Sequence, residues 1–274
     1  MSLKTCDKNK ILSQSPQETT SMYIHDGQCI WCGRKAPVVT FNTIPHILPK
    51  SLGGIETCVD VCDDCNHYFG TPAKGLPAID VVLREIFESY RLFGTNYYEK
   101  HKLSKKFVFF HYNPEKKRLK LKDPFREATI TSQFKKGLYE IFLQKYHSIT
   151  YDGNNPRWDW VRSYARYGTE IILREPRVYY AFNNVVFHPG EDYMNIVPMS
   201  DKLIEDALKY GVFNCFLMGQ NFYLEVLPHL FQLHGRAYLQ NEANTILIPA
   251  KGNERIFEFT RIRQIDPFMT RFGD

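Results

Sequence analysis

Along residues 78–94, AIDVVLREIFESYRLFG, the apolar positions Ile79, Val82, Leu83, Ile86, Phe87 and Tyr90 recur every three to four residues. That spacing predicts an amphipathic helix stopped at Gly94. A second stripe through 132–147, SQFKKGLYEIFLQKYH, predicts another amphipathic helix with Ser132 as its N-cap candidate. A shorter one in NNPRWDWVRSYARYG ends at Gly168, with Trp158, Trp160, Tyr164 and Tyr167 expected in the core. Between the first two, KKFVFFHYNPEKKRLKL reads as a β-hairpin turning at Asn113-Pro114. From about residue 176 strand-like runs take over: RVYYAFNNVVF, FNCFLMG, NFYLEVL, TILIPA and RIFEFTRI. Residues 25–70 show neither period. They are dense in Gly, Pro and Cys and hold only short β-like pieces, PVVTF and CVDVC. The pattern predicts an α+β protein: an N-terminal loop-rich module that needs a metal staple, a helical middle, and a β-rich C-terminal region. The expected divisions are a polar arm at 1–24, the metal module at 25–75, a helical segment with a basic hairpin at 76–170, and a β-rich accessory or recognition region at 171–274.

Composition changes this picture little. Hydrophobic content of 43% and charged content of 24% over 274 residues are ordinary for a globular chain. No apolar run is long enough to cross a bilayer. The polar opening, MSLKTCDKNKILSQSPQETT, lacks the apolar stretch of a signal peptide, so a cytoplasmic protein without a membrane partner is expected. Charge says more through its distribution. Residues 1–80 carry 7 Lys/Arg against 8 Asp/Glu, whereas 100–126 alone carry 10 basic and 2 acidic residues. Lys105, Lys106, Lys116, Lys117, Arg118 and Lys120 of that stretch are candidates for holding a phosphate backbone by counterion release. A solvated hairpin is the plainer alternative.

Five of the seven cysteines, Cys29, Cys32, Cys58, Cys62 and Cys65, fall within 37 residues. Two C-x-x-C pairs, 29–32 and 62–65, point to a tetrahedral thiolate site for structural Zn²⁺. Cys58 lies outside the pattern and reads as a small buried side chain. The 29-residue interval between the pairs is longer than a zinc ribbon needs, so it must carry something else.

It carries His46, in IPHILPKSLGG, and Asn66 follows directly on the second pair. In this order CIWC, PHILPKSLGG and CDDCNHYFG resemble the zinc-stapled branch of the HNH, or ββα-metal, endonucleases. The resemblance covers about residues 25–75. It implies a metal-dependent hydrolysis of DNA phosphodiester bonds, in which His46 acts as general base and Asn66 ligates a catalytic Mg²⁺ or Mn²⁺. Imidazole suits the role, because its ordinary pKa lies near working pH. Zinc would fasten the hairpin to the helix and do no chemistry.

The chain departs from the family pattern at two positions. Thr57 stands where the middle Asn braces the histidine loop. Pro45 stands where an acid before the histidine would ligate the cation. Glu56, Asp60, Asp63, Asp64 or His67 could take that ligand's place. The expected function is therefore an endonuclease, of the restriction or phage-defence kind, for which a homodimer is one possible assembly. The alternative is an HNH-fold zinc module that binds nucleic acid or a protein partner without cutting.

Overall fold

The computed structural model describes residues 23–73, 75–94, 107–113, 118–168, 174–181, 197–217, 220–245 and 256–265. The fold is mixed α+β, with a four-cysteine cluster near the N-terminus, helices in the middle and a four-stranded sheet towards the C-terminus.

Helix α1 (Asp63–Gly70) follows the second cysteine pair, and α2 (Ile79–Gly94) occupies the predicted stretch. Strands β1 (Phe110–Asn113) and β2 (Arg118–Leu121) form the expected antiparallel hairpin, with His111 opposite Lys120. The hairpin's approach is fixed by the buried Glu85 of α2, whose carboxylate accepts the amides of Val108 and Phe109.

Helix α3 (Glu127–Thr150) is longer than the periodicity predicted, and it is not amphipathic. Almost every residue from Ile130 to His147 is buried, including Lys135, Lys136, Glu140 and Lys145. A helix enclosed on all sides has no polar face to show; Lys135 and Lys145 pair instead with Glu175 and Glu56 from other parts of the chain. Ser132 is not its N-cap, since the helix opens five residues earlier. Glu127 in the first turn is held there by Arg263, whose Nε and Nη2 donate to its carboxylate at 2.8–3.0 Å. At Gly137, mid-helix, α2 comes close: a Cβ there would lie 2.6 Å from Leu83 Cγ and Cδ1.

Helix α4 (Asp159–Tyr167) ends at Gly168 as expected. Trp158 and Tyr164 are fully buried beside α3, but Tyr167 is exposed. Strands β3 (Val178–Ala181), β4 (Val212–Leu217), β5 (Gln220–Glu225) and β6 (Ile256–Glu258) form one antiparallel sheet in the order β4-β5-β3-β6. Phe134 of α3 packs on Phe222 of β5, and the Tyr139 hydroxyl reaches the carbonyls of Arg177 and Glu225. The C-terminal region is less purely β than predicted. Helix α5 (Asp201–Tyr210) precedes β4, and a helical run from Pro228 through a π-turn at Phe231–Gly235 leads into α6 (Arg236–Thr245). Most of the TILIPA strand and the NNVVF half of another lie outside the described residues. One hydrophobic cluster runs from Cys29 to Ile265 and takes in the cysteine module, α2, α3 and the sheet. Among the described residues no helix is long and apolar enough to cross a membrane.

Candidate active site

The cysteine module is built from two tight turns. Gly33, in the left-handed region at φ +70°, closes the first by returning its amide to Cys29 O at 2.8 Å. The second leads straight into α1, so Cys65 sits within the helix. The four Sγ atoms lie within 4.8 Å of one another, and Cys32 Sγ is 3.8 Å from Cys62 Sγ. A Zn–S bond of about 2.3 Å puts tetrahedral sulfurs about 3.8 Å apart, so the donor set fits structural zinc. The Cys62 contact favours the Cys29 thiolate, but hydrogen bonding and repulsion from Cys65, together with burial, push Cys29 up to about 12. A divalent cation reverses that balance. Arg34 Nε donates to Cys32 Sγ at 3.4 Å and adds positive charge beside the thiolates. Cys58 is fully buried and donates to Val59 O at 3.1 Å.

His46 stands on a short extended segment running between the pairs. It faces Thr57 across an antiparallel bridge, flanked by Ile47 N–Glu56 O at 3.0 Å and Cys58 N–Pro45 O at 2.9 Å. Backbone pairing does the bracing, for Thr57 is exposed and makes no side-chain hydrogen bond among the described residues. The paired glycines that follow serve different ends. Gly53 ends a short turn in the left-handed region at φ +89°. At Gly54 a Cβ would lie 2.2 Å from Leu48 O, so only glycine allows the loop to fold back on the histidine strand.

His46 Nδ1 is 3.3 Å from Ile44 O. A carbonyl can only accept, so the contact assigns the imidazole proton to Nδ1 and leaves the Nε2 lone pair as the proton acceptor. Asn66 is the fourth residue of α1 and not its cap; its Nδ2 donates to Thr43 Oγ1 at 3.0 Å and to the same Ile44 O at 3.4 Å. This fixes the amide with its Oδ1 free of any donor among the described residues. Thr43 Oγ1 in turn donates to Asp63 Oδ1 at 2.7 Å. That carboxylate also accepts Asn42 N, Thr43 N and Thr40 Oγ1. Burial works against the Asp63 carboxylate, but these hydrogen bonds outweigh it and hold the group below the usual range. Thr43 and Asp63 thus orient Asn66, a role that nothing in the sequence pattern marked.

His46 and Asn66 line one cavity of about 290 Å³. Pro49, Lys50, Ser51 and Gly70 form part of its wall, and α2 and α3 supply Asp80, Arg84 and Glu140. The two acids were not among the residues picked out from sequence. Burial pushes Asp80 up to about 6. Glu140 is also raised by burial, with the charge of Asp80 adding and the Gln144 hydrogen bond opposing. Glu140 Oε1 accepts from Gln144 Nε2 at 3.0 Å, while Oε2 is buried with no hydrogen-bond partner.

None of the substitutes considered for the acid at Pro45 lines this cavity. Asp63 is bonded as above, Asp64 pairs with Arg34 at 2.8 Å, and Glu56 pairs with Lys145 and accepts Val197 N at 2.7 Å. Asp60 accepts the amides of His25, Asp26 and Gly27. His67 is exposed and meets Thr71. On the basic hairpin, Lys120 is exposed and does not line the cavity. The strand position of Arg118 is described but its side chain is not, and Lys105, Lys106, Lys116 and Lys117 lie outside the described residues.

Residues 29–74 match the HNH endonuclease family. The segment with the four-cysteine cluster and the His46 hairpin is thus an HNH endonuclease domain. The match implies a nucleic-acid substrate and a phosphodiester-hydrolysing activity. No curated protein and no solved structure matches the chain.

Proposed function

We propose that this protein is a metal-dependent endonuclease that hydrolyses DNA, with His46 as the general base. One observation carries the reading. His46 and Asn66, the two residues that match the chemistry of the family, share one cavity and are fastened to one carbonyl, Ile44 O. The Nδ1 contact leaves Nε2 to take a proton from water as it attacks phosphorus. Asn66 Oδ1, held outward by Thr43 and Ile44, is a hard oxygen suited to Mg²⁺ or Mn²⁺. When bound, such a cation neutralises charge that develops on the phosphate. Lys50 and Arg84 on the cavity wall can hold neighbouring phosphates. The basic hairpin supports DNA as the substrate, and the residues beyond the HNH segment would supply recognition, as a restriction or defence enzyme requires.

The test is nicking of supercoiled plasmid by the zinc-loaded protein in Mg²⁺ or Mn²⁺, beside His46→Ala of unchanged fold and zinc content. Loss of at least about 100-fold in rate is expected for removal of a general base. Cleavage undiminished in His46→Ala would refute the assignment. Salt-dependent DNA binding with no product under either cation would favour the non-cutting module, the reading to which Pro45 lends support.

A further inference from the structure

We infer that Asp80 and Glu140, on two helices beyond the HNH segment, hold the divalent cation together with Asn66, in place of the acid that Pro45 replaces. The inference deepens the nuclease reading and rests on it for the cation's purpose, but the site can be tested alone.

Four observations converge. Pro45 offers no side-chain ligand, and each acid near it in sequence is committed elsewhere. Asp80 and Glu140 line the cavity that His46 and Asn66 line. Glu140 is only 4% exposed, yet its Oε2 has no hydrogen-bond partner. A buried carboxylate oxygen left so is costly unless something positive meets it. Asp80 lines the same cavity and accepts no hydrogen bond among the described residues, and its charge adds to the burial that raises Glu140. Burial drives both carboxyls towards the neutral form, and among the described residues neither is ion-paired, although Lys50 and Arg84 stand on the same wall; a bound divalent ion would offset that cost of burying their charge.

The helices hold the pair at a set spacing. Leu83 of α2 packs against Gly137 of α3 with no room for a Cβ. Asp80 lies one turn from Leu83, and Glu140 one turn from Gly137, on the same faces. Both acids thus lie one turn from this contact and line the same cavity.

The experiment titrates Mn²⁺ into zinc-loaded wild type, Asp80→Asn, Glu140→Gln and His46→Ala, reading free Mn²⁺ by electron paramagnetic resonance and thermal unfolding with and without the ion. Both carboxylate variants are near-isosteric. Wild type and His46→Ala are expected to bind one Mn²⁺, and Asp80→Asn and Glu140→Gln to bind it at least about tenfold more weakly. Without Mn²⁺, Glu140→Gln is expected to melt above wild type, and to lose the rise that Mn²⁺ gives wild type. A merely structural carboxylate would lower the melting point instead. Binding within about twofold of wild type in both variants, or no Mn²⁺ binding by wild type, overturns the inference. Two mixed outcomes separate it from the nuclease reading. If His46→Ala is dead while the carboxylate variants bind and cut normally, the inference fails and the nuclease reading stands. If those variants lose Mn²⁺ but wild type cuts no DNA, the site stands and the nuclease reading fails.

Discussion

Asp60→Asn is the substitution that best separates holding the module together from doing chemistry in it. Asp60 is fully buried, and its Oδ1 accepts the amides of His25 and Gly27 at 3.0 Å while Oδ2 accepts Asp26 N at 2.9 Å. His147 of α3 faces Oδ2 at 3.5 Å. Gly153 N donates to His147 Nδ1 at 3.0 Å, so the imidazole proton sits on Nε2, towards the carboxylate. Asn keeps an acceptor for two of the three amides but turns an NH₂ towards the third donor. Asn is also, among residues with a side chain, well suited to the backbone here, at φ +56°. Two charge-assisted hydrogen bonds weaken by about 1 kcal/mol each and a third, worth about 2, is lost; relief from burying a charge offsets part of this. The net cost is roughly 2–4 kcal/mol, or a melting point lower by roughly 4–16 °C. Burial raises the Asp60 pKa, but His147 and the three amides outweigh it and hold the group below the usual range. Its contribution is therefore present above the unfolded pKa of about 3.9 and lost as pH falls through the folded value. Urea unfolding of zinc-loaded wild type and Asp60→Asn should show the full gap at neutral pH and a shrinking one in acid. A gap below about 0.5 kcal/mol at neutral pH would refute the reasoning.

Gly54→Ala should cost more than about 3 kcal/mol, because its Cβ would overlap the backbone of Leu48, whereas Gly53→Ala costs about 1–2 from the left-handed conformation alone; equal melting points for the two would contradict this. Arg34→Ala should weaken zinc retention by about tenfold in competition with a chromogenic chelator, through loss of the donor to Cys32 Sγ; unchanged retention would deny Arg34 that role. Pro45→Asp should leave plasmid nicking within about threefold of wild type if Asp80 and Glu140 complete the site; a gain of about tenfold or more would show the cation short of a ligand there.

The parts legible in the sequence were those encoded locally. Two C-x-x-C turns announce a metal through spacing alone, and the His46 hairpin follows from its place between them. Helix α2 could be read because its apolar positions recur at helical spacing and pack against α3, as Phe87 does on Phe134. Helix α3 misled for the opposite reason. Lys135, Lys136, Glu140 and Lys145 read as a solvated face but are buried by elements far along the chain. Glu140 was hidden in that pattern, and Asp80 looked like an ordinary acid in the first turn of a helix. The only hint at their meeting was Gly137, a glycine in a helix interior that propensity disfavours. Helix α5 was missed although its signals were present: Ser200 accepts from Leu203 N at 3.4 Å, and Gly211 closes the end in the left-handed region. Two aromatic-rich strands on either side of it outweighed them.

The contact between Gly137 and Leu83 has a consequence for ion choice. Loops that ligate cations flex and tolerate several radii, but two helices in van der Waals contact act as a fixed gauge. Mg²⁺ demands oxygens at about 2.0–2.1 Å, while Ca²⁺ accepts about 2.3–2.6 Å. At the proposed site, with Asp80 one turn from Leu83 and Glu140 one turn from Gly137, the helix spacing that a missing side chain permits would help set which ion fits.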